Sequence, residues 1–401
     1  MQLDVMPWLE MALRWLHVIT GVAWIGASFY FVWLDNHLVK REGQPEGVAG
    51  DVWAVHGGGF YNSRKYLVAP PELPPGLHWF KYEAYFTWIS GFLLLCALYY
   101  YGASIYLIDT TKAALTPWQA IGIGLGFLAG GWLVYDLLCR SPIGKDPVLF
   151  FGLWFAALVA AAYGLTHIFS GRGAFIHVGA LVGTVMVGNV FFVIIPNQKK
   201  AVAEMIAGRA PPARLGLEAK QRSLHNNYMT LPVLLSMVSN HYPMVTSGPA
   251  NWVVLAALAI SGVLIRHFFN LKHKGKIVWE LPAAGVAVFV GTMFFTASLE
   301  KDEAASGPPV PFATTRAIID KHCTMCHAAV PNHRNITKPP AGLDFTRDAV
   351  VHDNARRIRF QAVTTKTMPL GNETHMTPEE RATLGAWVAQ GANTSAKLDA
   401  K

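Results

Sequence analysis

Charge is scarce in this sequence. Of its 401 residues 14% are charged and 52% hydrophobic, with a mean hydropathy of +0.30, which is too apolar for a soluble chain of this length. Cysteine is scarce as well. Four residues, two of them (Cys96 and Cys139) inside apolar runs, do not make a disulfide scaffold. No G-x-G-x-x-G follows a strand pattern and no P-loop occurs, which removes the common nucleotide-binding loops. The formal net charge is +8, but the cations form no single face, which argues against nucleic acid as a partner.

Long apolar runs are what the chain has in abundance. Eight of them, at 8–34, 83–108, 118–139, 147–168, 173–196, 226–245, 251–270 and 277–298, come near the ~20 residues that cross a ~30 Å hydrocarbon core. They predict an all-α membrane bundle of eight spans over residues 1–300. The sixth is polar for a span, since Pro232 interrupts it and Asn226, Asn227, Ser236 and Asn240 lie in it. Trp8, Trp79, Trp118, Trp252 and Trp279 fall at or near span ends, where amphipathic rings favour the interface. Loops 35–82, 140–146, 197–225 and 271–276 hold most of the cations, among them Lys40, Arg64, Lys145, Arg222 and Lys272, while the alternate loops hold Lys112 and Arg172. By the positive-inside rule the rich side is cytoplasmic. Both termini are therefore expected in the periplasm, with the bundle in the lipid bilayer of a bacterial inner membrane. The first run is too long for the apolar core of a cleaved leader and is read as a span.

Residues 301–311 include the Pro-rich run Ser306-Gly-Pro-Pro-Val-Pro311, a semi-rigid tether. Beyond it, Cys323-Thr-Met-Cys-His327 reads C-x-x-C-H, the attachment signature of a c-type haem. Two thiols one turn apart form thioethers to the porphyrin, and the adjacent imidazole becomes an axial iron ligand. Zinc, the competing reading of C-x-x-C, needs two further ligands at matched spacing, and Cys96 and Cys139 lie far upstream. Residues 312–401 are thus expected to form a small class I cytochrome c domain in the periplasm. Helices are predicted running into Cys323, around Val350 to Val363, and from Pro378 to about Gln390. Met368, in Thr367-Met368-Pro369, is the favoured sixth iron ligand. Met376 competes, but it abuts a helix start with Thr377 as N-cap, Pro378 at the first position and Glu380 closing a capping box.

Within the spans a faint repeat relates the first to the fifth through His17-Val18 and His177-Val178. The third and seventh share Gly131-Trp-Leu-Val-Tyr-Asp and Gly262-Val-Leu-Ile-Arg-His, and the second and sixth share Tyr85-x-Thr87 and Tyr228-x-Thr230. This suggests two parallel four-helix halves, against a background of chance similarity among apolar helices. Ionisable groups in spans are functional suspects, and here they fall into two layers. In the outer layer His17 and His177 either ligate a b-type haem, bind a quinone, or each satisfy a helix–helix hydrogen bond; His167 and His241 lie near the same surface. In the inner layer Arg266 offers forked donors to an anionic planar substrate, Asn226 and Asn227 offer amides that read carbonyl and N–H edges, and Glu83, Asp136, His225 and His267 are candidate proton acceptors. The competing reading of that layer is an ion-paired rim.

The run Leu16-His-Val-Ile-Thr-Gly-Val-Ala-Trp-Ile-Gly-Ala-Ser-Phe-Tyr-Phe-Val-Trp-Leu-Asp-Asn-His37, the run Leu224-His-Asn-Asn-Tyr-Met-Thr-Leu-Pro-Val-Leu-Leu-Ser-Met-Val-Ser-Asn-His-Tyr-Pro243 and the C-terminal cytochrome signature together resemble the membrane-bound urate hydroxylases of bacterial purine catabolism. The resemblance covers the whole chain. It implies oxidation of urate to 5-hydroxyisourate, with electrons leaving through the cytochrome to a soluble or membrane cytochrome or terminal oxidase instead of reducing O₂ to peroxide. It implies no catalytic residues, so those named above rest on chemistry alone. The first span is also similar, more weakly, to that of small membrane protoporphyrinogen oxidases thought to bind haem b, which favours His17 as a ligand. The alternative function is an electron-transfer subunit that passes electrons from quinol to its own haem c without a small-molecule site.

Overall fold

The computed structural model describes residues 5–74, 76–299, 308–333 and 336–394. Helix dominates, because an apolar run in a bilayer has to satisfy its backbone donors and acceptors internally. In chain order the bundle comprises α1 (Met6–Asn36), strands β1 (Val48–His56) and β2 (Gly59–Tyr66), then α2 (Tyr82–Leu95), α3 (Pro117–Arg140), α4 (Pro147–Ile168), α5 (Gly171–Gly188), α6 (Ile195–Ile206), α7 (Ala213–Val238), the short α8 (Pro243–Thr246), α9 (Asn251–Lys272) and α10 (Glu280–Leu299). Starts are fixed by local chemistry. Thr116 and Gln119 form a reciprocal capping box ahead of Pro117, Asp146 accepts from the amides of Val148 and Leu149, and Ser170 Oγ accepts from the amide of Gly173, each satisfying donors that a helix end leaves open.

Among the described residues six helices are long and apolar enough to cross a membrane: α1, α3, α4, the continuous rod Gly171–Ile206 that α5 and α6 make through the π turn Asn189–Ile194, α9 and α10. The expected second and sixth spans are built differently. α2 continues through the π turns Cys96–Tyr100 and Ala103–Leu107 to make a second rod over 82–107, with Gly102 between the turns so close to Leu98 that an added Cβ would meet its carbonyl oxygen at 2.7 Å. α7 begins at Ala213 instead of residue 226 and ends at Val238, because a polar helix continues below the apolar part. Two other expectations are corrected here. Residues 197–225, read as a loop, fold largely as a helical hairpin of α6 and α7, pinned where Asn197 Nδ2 donates to Glu218 Oε2 (2.9 Å). The all-α reading fails at 48–66, where β1 and β2 form an antiparallel hairpin. Gly57 and Gly58, with φ of +58° and +81°, supply the turn, since two consecutive positive φ values match the twist of paired strands and suit glycine best.

α5 is the hub, packed on α2, α3, α4 and α7. α1 and α10 lie on the rim and turn Trp15, Val18, Val22, Phe289 and Phe294 outward, as a lipid-facing helix does. The two helices matched in the sequence repeat therefore occupy unequal places, α5 buried and α1 peripheral.

In the tail, α11 (Phe312–His322), α12 (Asp348–Asp353), α13 (Ala355–Ile358), which continues through the π turn Arg359–Thr364, and α14 (Pro378–Ala389) enclose a core of Ile319, Val351, Ile358, Leu384 and Trp387. The predicted capping box is present, with Glu380 N donating to Thr377 Oγ1 (3.2 Å) and Thr377 N to Glu380 Oε2 (2.8 Å). Of the tether, 301–307 lie outside the described residues; Pro308 and Val310 are tied to Gln390. The tail sits on one end of the bundle. Gly371, at φ +58°, lies so close to the carbonyls of Ser104 (2.8 Å from its ideal Cβ position), Ile108 (2.9 Å) and Ile105 (3.2 Å) that a side chain there would collide with the end of the second rod.

Candidate functional site

The inner layer resolves into two sets of polar side chains. The first is centred on Asn189, in the π turn of the α5–α6 rod. Its Nδ2 donates to Tyr135 Oη (2.9 Å) and Asn226 Oδ1 (2.8 Å), and its Oδ1 accepts from Arg222 Nη1 (3.1 Å). Arg222 Nη2 pairs with Asp136 Oδ1 (2.7 Å), and the other carboxylate oxygen takes Arg140 Nε (2.6 Å). Asn226 Nδ2 donates to the Met186 carbonyl (2.9 Å). His225 Nδ1 shares a hydrogen with Tyr135 Oη (2.8 Å), and its ring stacks on Phe150 at 4.4 Å between centroids. The set is closed: the cation has its carboxylate, and both ends of each amide are bonded.

The second set is open. Arg266 Nε and Asn270 Nδ2, on one face of α9, both donate to Asn227 Oδ1 on α7 (3.0 and 2.8 Å). Arg266 lies over the Phe29 ring at 4.0 Å. Arg266, Asn227 and Asn270 are 5%, 1% and 7% exposed, yet Asn227 Nδ2 and Asn270 Oδ1 have no hydrogen-bond partner among the described residues. Among the described residues no carboxylate pairs with Arg266, in contrast to Arg222. Beside this set, Tyr228 Oη and His267 Nδ1 lie 2.6 Å apart. Glu83 stands in the first turn of α2, where the helix dipole favours an anion, and shares no hydrogen bond with either set.

The outer histidines do not converge. His177, fully buried, has Nδ1 on the Gly173 carbonyl (2.7 Å) and Nε2 on Tyr100 Oη (3.3 Å). Gly124 packs so tightly on it that a Cβ would meet Nε2 at 2.7 Å. His17, on α1, places Nδ1 against the Thr87 carbonyl (3.0 Å) and Ser90 Oγ (3.3 Å) and lies on Gly91. Their contacts on the second rod, Gly91 and Tyr100, are about 14 Å of helical rise apart. A b-type haem ligated by both imidazoles does not fit between them. His167 and His241 are exposed.

The tail brings its nominated residues together. Cys326 N and His327 N both donate to the Cys323 carbonyl (3.2 and 2.8 Å), which winds C-x-x-C-H into one turn. His327 Nδ1 lies 3.2 Å from the Leu343 carbonyl, an orienting bond that leaves Nε2 as the ligating atom. Burial lowers the His327 pKa, against the raising effect of that carbonyl, which favours the neutral, ligating imidazole. Burial also pushes the Cys323 thiol up to about 12. Met368, half-buried, packs against the same core as Cys323, and its carbonyl accepts from Arg381 Nη1 (2.7 Å), which also donates to the Ala362 carbonyl, while Nη2 donates to Asn372 Oδ1 (2.9 Å). Met376 is 3% exposed within the core, its N–H on Asn372 Oδ1. This donor set can hold a c-type haem through Cys323, Cys326 and His327, with Met368 the less enclosed of the two thioethers.

Sequence reasoning missed Asn189, Tyr135, Arg222, Asn270 and Arg381. Arg222 had been counted among the loop cations, yet it is buried against Asp136. Helical spacing carried the signal: Arg222 precedes Asn226 by four residues and Asn270 follows Arg266 by four, which puts each pair on one face.

A family model described as urate oxidase N-terminal matches residues 4–297. No curated protein and no solved structure matches the chain.

Proposed function

This chain belongs to the urate oxidase N-terminal family, and from that premise we propose that it is a membrane urate hydroxylase. In this reading urate and water give 5-hydroxyisourate, two protons and two electrons, and the electrons leave through the tail to a soluble or membrane cytochrome or terminal oxidase, without peroxide. A c-type haem bound at Cys323, Cys326 and His327 supplies a one-electron acceptor there. His327 is held for ligation by the Leu343 carbonyl, and Met368 is presented by a loop that Arg381 pins. The observation that carries the reading is the junction of the family's membrane domain with this turn: the Gly371 loop, close to Met368 in sequence, rests on the end of the second rod. The second rod and α7 complete eight spans in this proposal, with the tail end of the bundle periplasmic in the bacterial inner membrane.

Mixing purified full-length holoprotein with urate under argon tests it. Reduction of the c-haem spectrum by urate alone is expected. Absence of reduction until quinol is added would replace the hydroxylase with an electron-transfer subunit.

A further inference from the structure

The amide orientations in the open set are not free. Arg266 Nε is only a donor, so the oxygen of Asn227 has to face it, and that same oxygen takes Asn270 Nδ2. Both amides are thereby fixed, which leaves the two N–H donors of Asn227 Nδ2 and the carbonyl acceptor of Asn270 unspent in a buried place. Leaving such groups unpaired costs free energy, and a buried cation without a counter-ion costs more. Here two such amide groups and an unpaired guanidinium lie together on facing helices, which is the arrangement a ligand would complete.

We propose that Arg266, Asn227 and Asn270 are the recognition site for a planar oxopurine anion, with Phe29 beneath the guanidinium. The proposal rests on the reading of the chain as a urate-oxidising protein and adds to it the residues that hold the substrate. Urate presents what the site is missing: a carbonyl oxygen for the Asn227 N–H, a ring N–H for the Asn270 carbonyl, and a delocalised negative charge for the Arg266 fork. The Arg222 set has no such vacancy, because Asp136 and Asn189 already answer its charge and its amides. Asn270 thus becomes a specificity-determining residue, since an acceptor at that position rejects a purine that lacks the matching N–H.

The site lies six residues before the end of α9 at Lys272, at the end of the bundle where His37 and His273 meet at 5.5 Å, whereas the tail rests on the opposite end. Binding and haem reduction are therefore separable measurements. Equilibrium dialysis of radiolabelled urate against full-length holoprotein, pre-reduced so that urate is not consumed, reads binding alone. Arg266→Gln and Asn270→Leu are each expected to weaken urate binding about tenfold to a hundredfold, with the c-haem spectrum unchanged. Arg14→Gln, which removes an exposed cation paired with Glu10 near the start of α1, at the tail end of the bundle, is expected to bind as the unsubstituted protein does. Because Arg266→Gln can fail to fold, Asn270→Asp serves as the second variant: it keeps the shape, adds like charge against the anion and should also lose binding. Undiminished affinity in folded Arg266→Gln and Asn270→Asp, or loss in Arg14→Gln alone, overturns the site while urate oxidation stands. An unsubstituted protein that neither binds urate nor is reduced by it overturns the functional reading, and the site with it.

Discussion

Arg222 on α7 and Arg266 on α9 are buried almost equally, at 4% and 5% exposure, and are answered in opposite ways. Arg222 is met by a carboxylate and an amide oxygen; Arg266 is met by one amide oxygen and the face of a ring. A buried charge that the fold needs is paired within the fold, and a buried charge left short points to something that arrives later. The same contrast recurs elsewhere. His177 has both ring nitrogens bonded and His17 only Nδ1; Met376 is sealed in the tail core and Met368 is half-buried beside it.

The largest expected effect tests the arginines directly. Asp136→Ala leaves Arg222 buried without its counter-ion, a loss of about 3–5 kcal/mol, so the variant should be recovered poorly and unfold at a much lower temperature in detergent. Arg266→Met should behave otherwise. It removes an unpaired buried cation at similar volume, and Asn227 Oδ1 keeps its bond from Asn270, so stability should stay level or rise. Equal destabilisation by both substitutions would erase the distinction between closed and open sets.

The methionines come next. Met376→Ala empties a site in the tail core and should cost about 2–5 kcal/mol of tail stability, while the haem potential and its resistance to CO stay nearly unchanged. Met368→Ala should cost less stability, lower the potential and open the sixth position to CO. The reverse spectroscopic pattern would transfer the ligand assignment to Met376.

Much of this architecture is legible in the residues, and the gaps have physical causes. C-x-x-C-H and the Thr377 to Glu380 capping box are local, so spacing alone announces them. Six of the eight apolar runs became helices long enough to cross a bilayer because hydropathy and backbone satisfaction act within one segment. The β-hairpin is not announced by hydropathy although Gly57-Gly58-Gly59 sits between alternating residues, because half-polar strands lack the long apolar run that marks a span. The open site was half visible. Arg266 and Asn227 were nominated, but which amide atoms lack partners is a property of packing between α7 and α9, and no single-chain spacing encodes it. Arg222 looked like loop charge for the same reason: its partner Asp136 lies on α3, 86 residues away in sequence.

The histidines offer a smaller test. Gly124→Ala drives a Cβ to 2.7 Å from His177 Nε2 and 3.1 Å from Tyr100 Oη, in a buried place where neighbours have little room to shift, at a cost of about 1–3 kcal/mol. Gly91→Ala meets His17 Cε1 at 2.8 Å, but α1 is a rim helix able to move outward into lipid. Its unfolding temperature should fall less than that of Gly124→Ala. A larger fall for Gly91→Ala would mean that α1 is held as firmly as α5.

The smallest expected effect concerns pH. Burial works to raise the Glu380 pKa, but Lys321 Nζ, the Thr377 amide and His322 more than offset it and take the value to about 2, from an ordinary 4.5. A carboxylate whose folded pKa is depressed adds stability that is fully present above its unfolded value and disappears as pH falls through the folded one. The window is therefore pH 4.5 down to about 2. The Glu380 side chain is partly covered, at 20% exposure, and its partner Lys321 is exposed, so its contribution is modest and partly screened by salt. Thermal unfolding of the tail, followed by haem absorbance in the full-length protein, should show Glu380→Gln losing a little stability at neutral pH and declining less steeply than the unsubstituted protein across that window. Parallel acid limbs for the two proteins would mean that the capping box and the Lys321 contact do not hold the carboxylate ionised, and that Glu380 belongs with the groups whose bonding is incomplete.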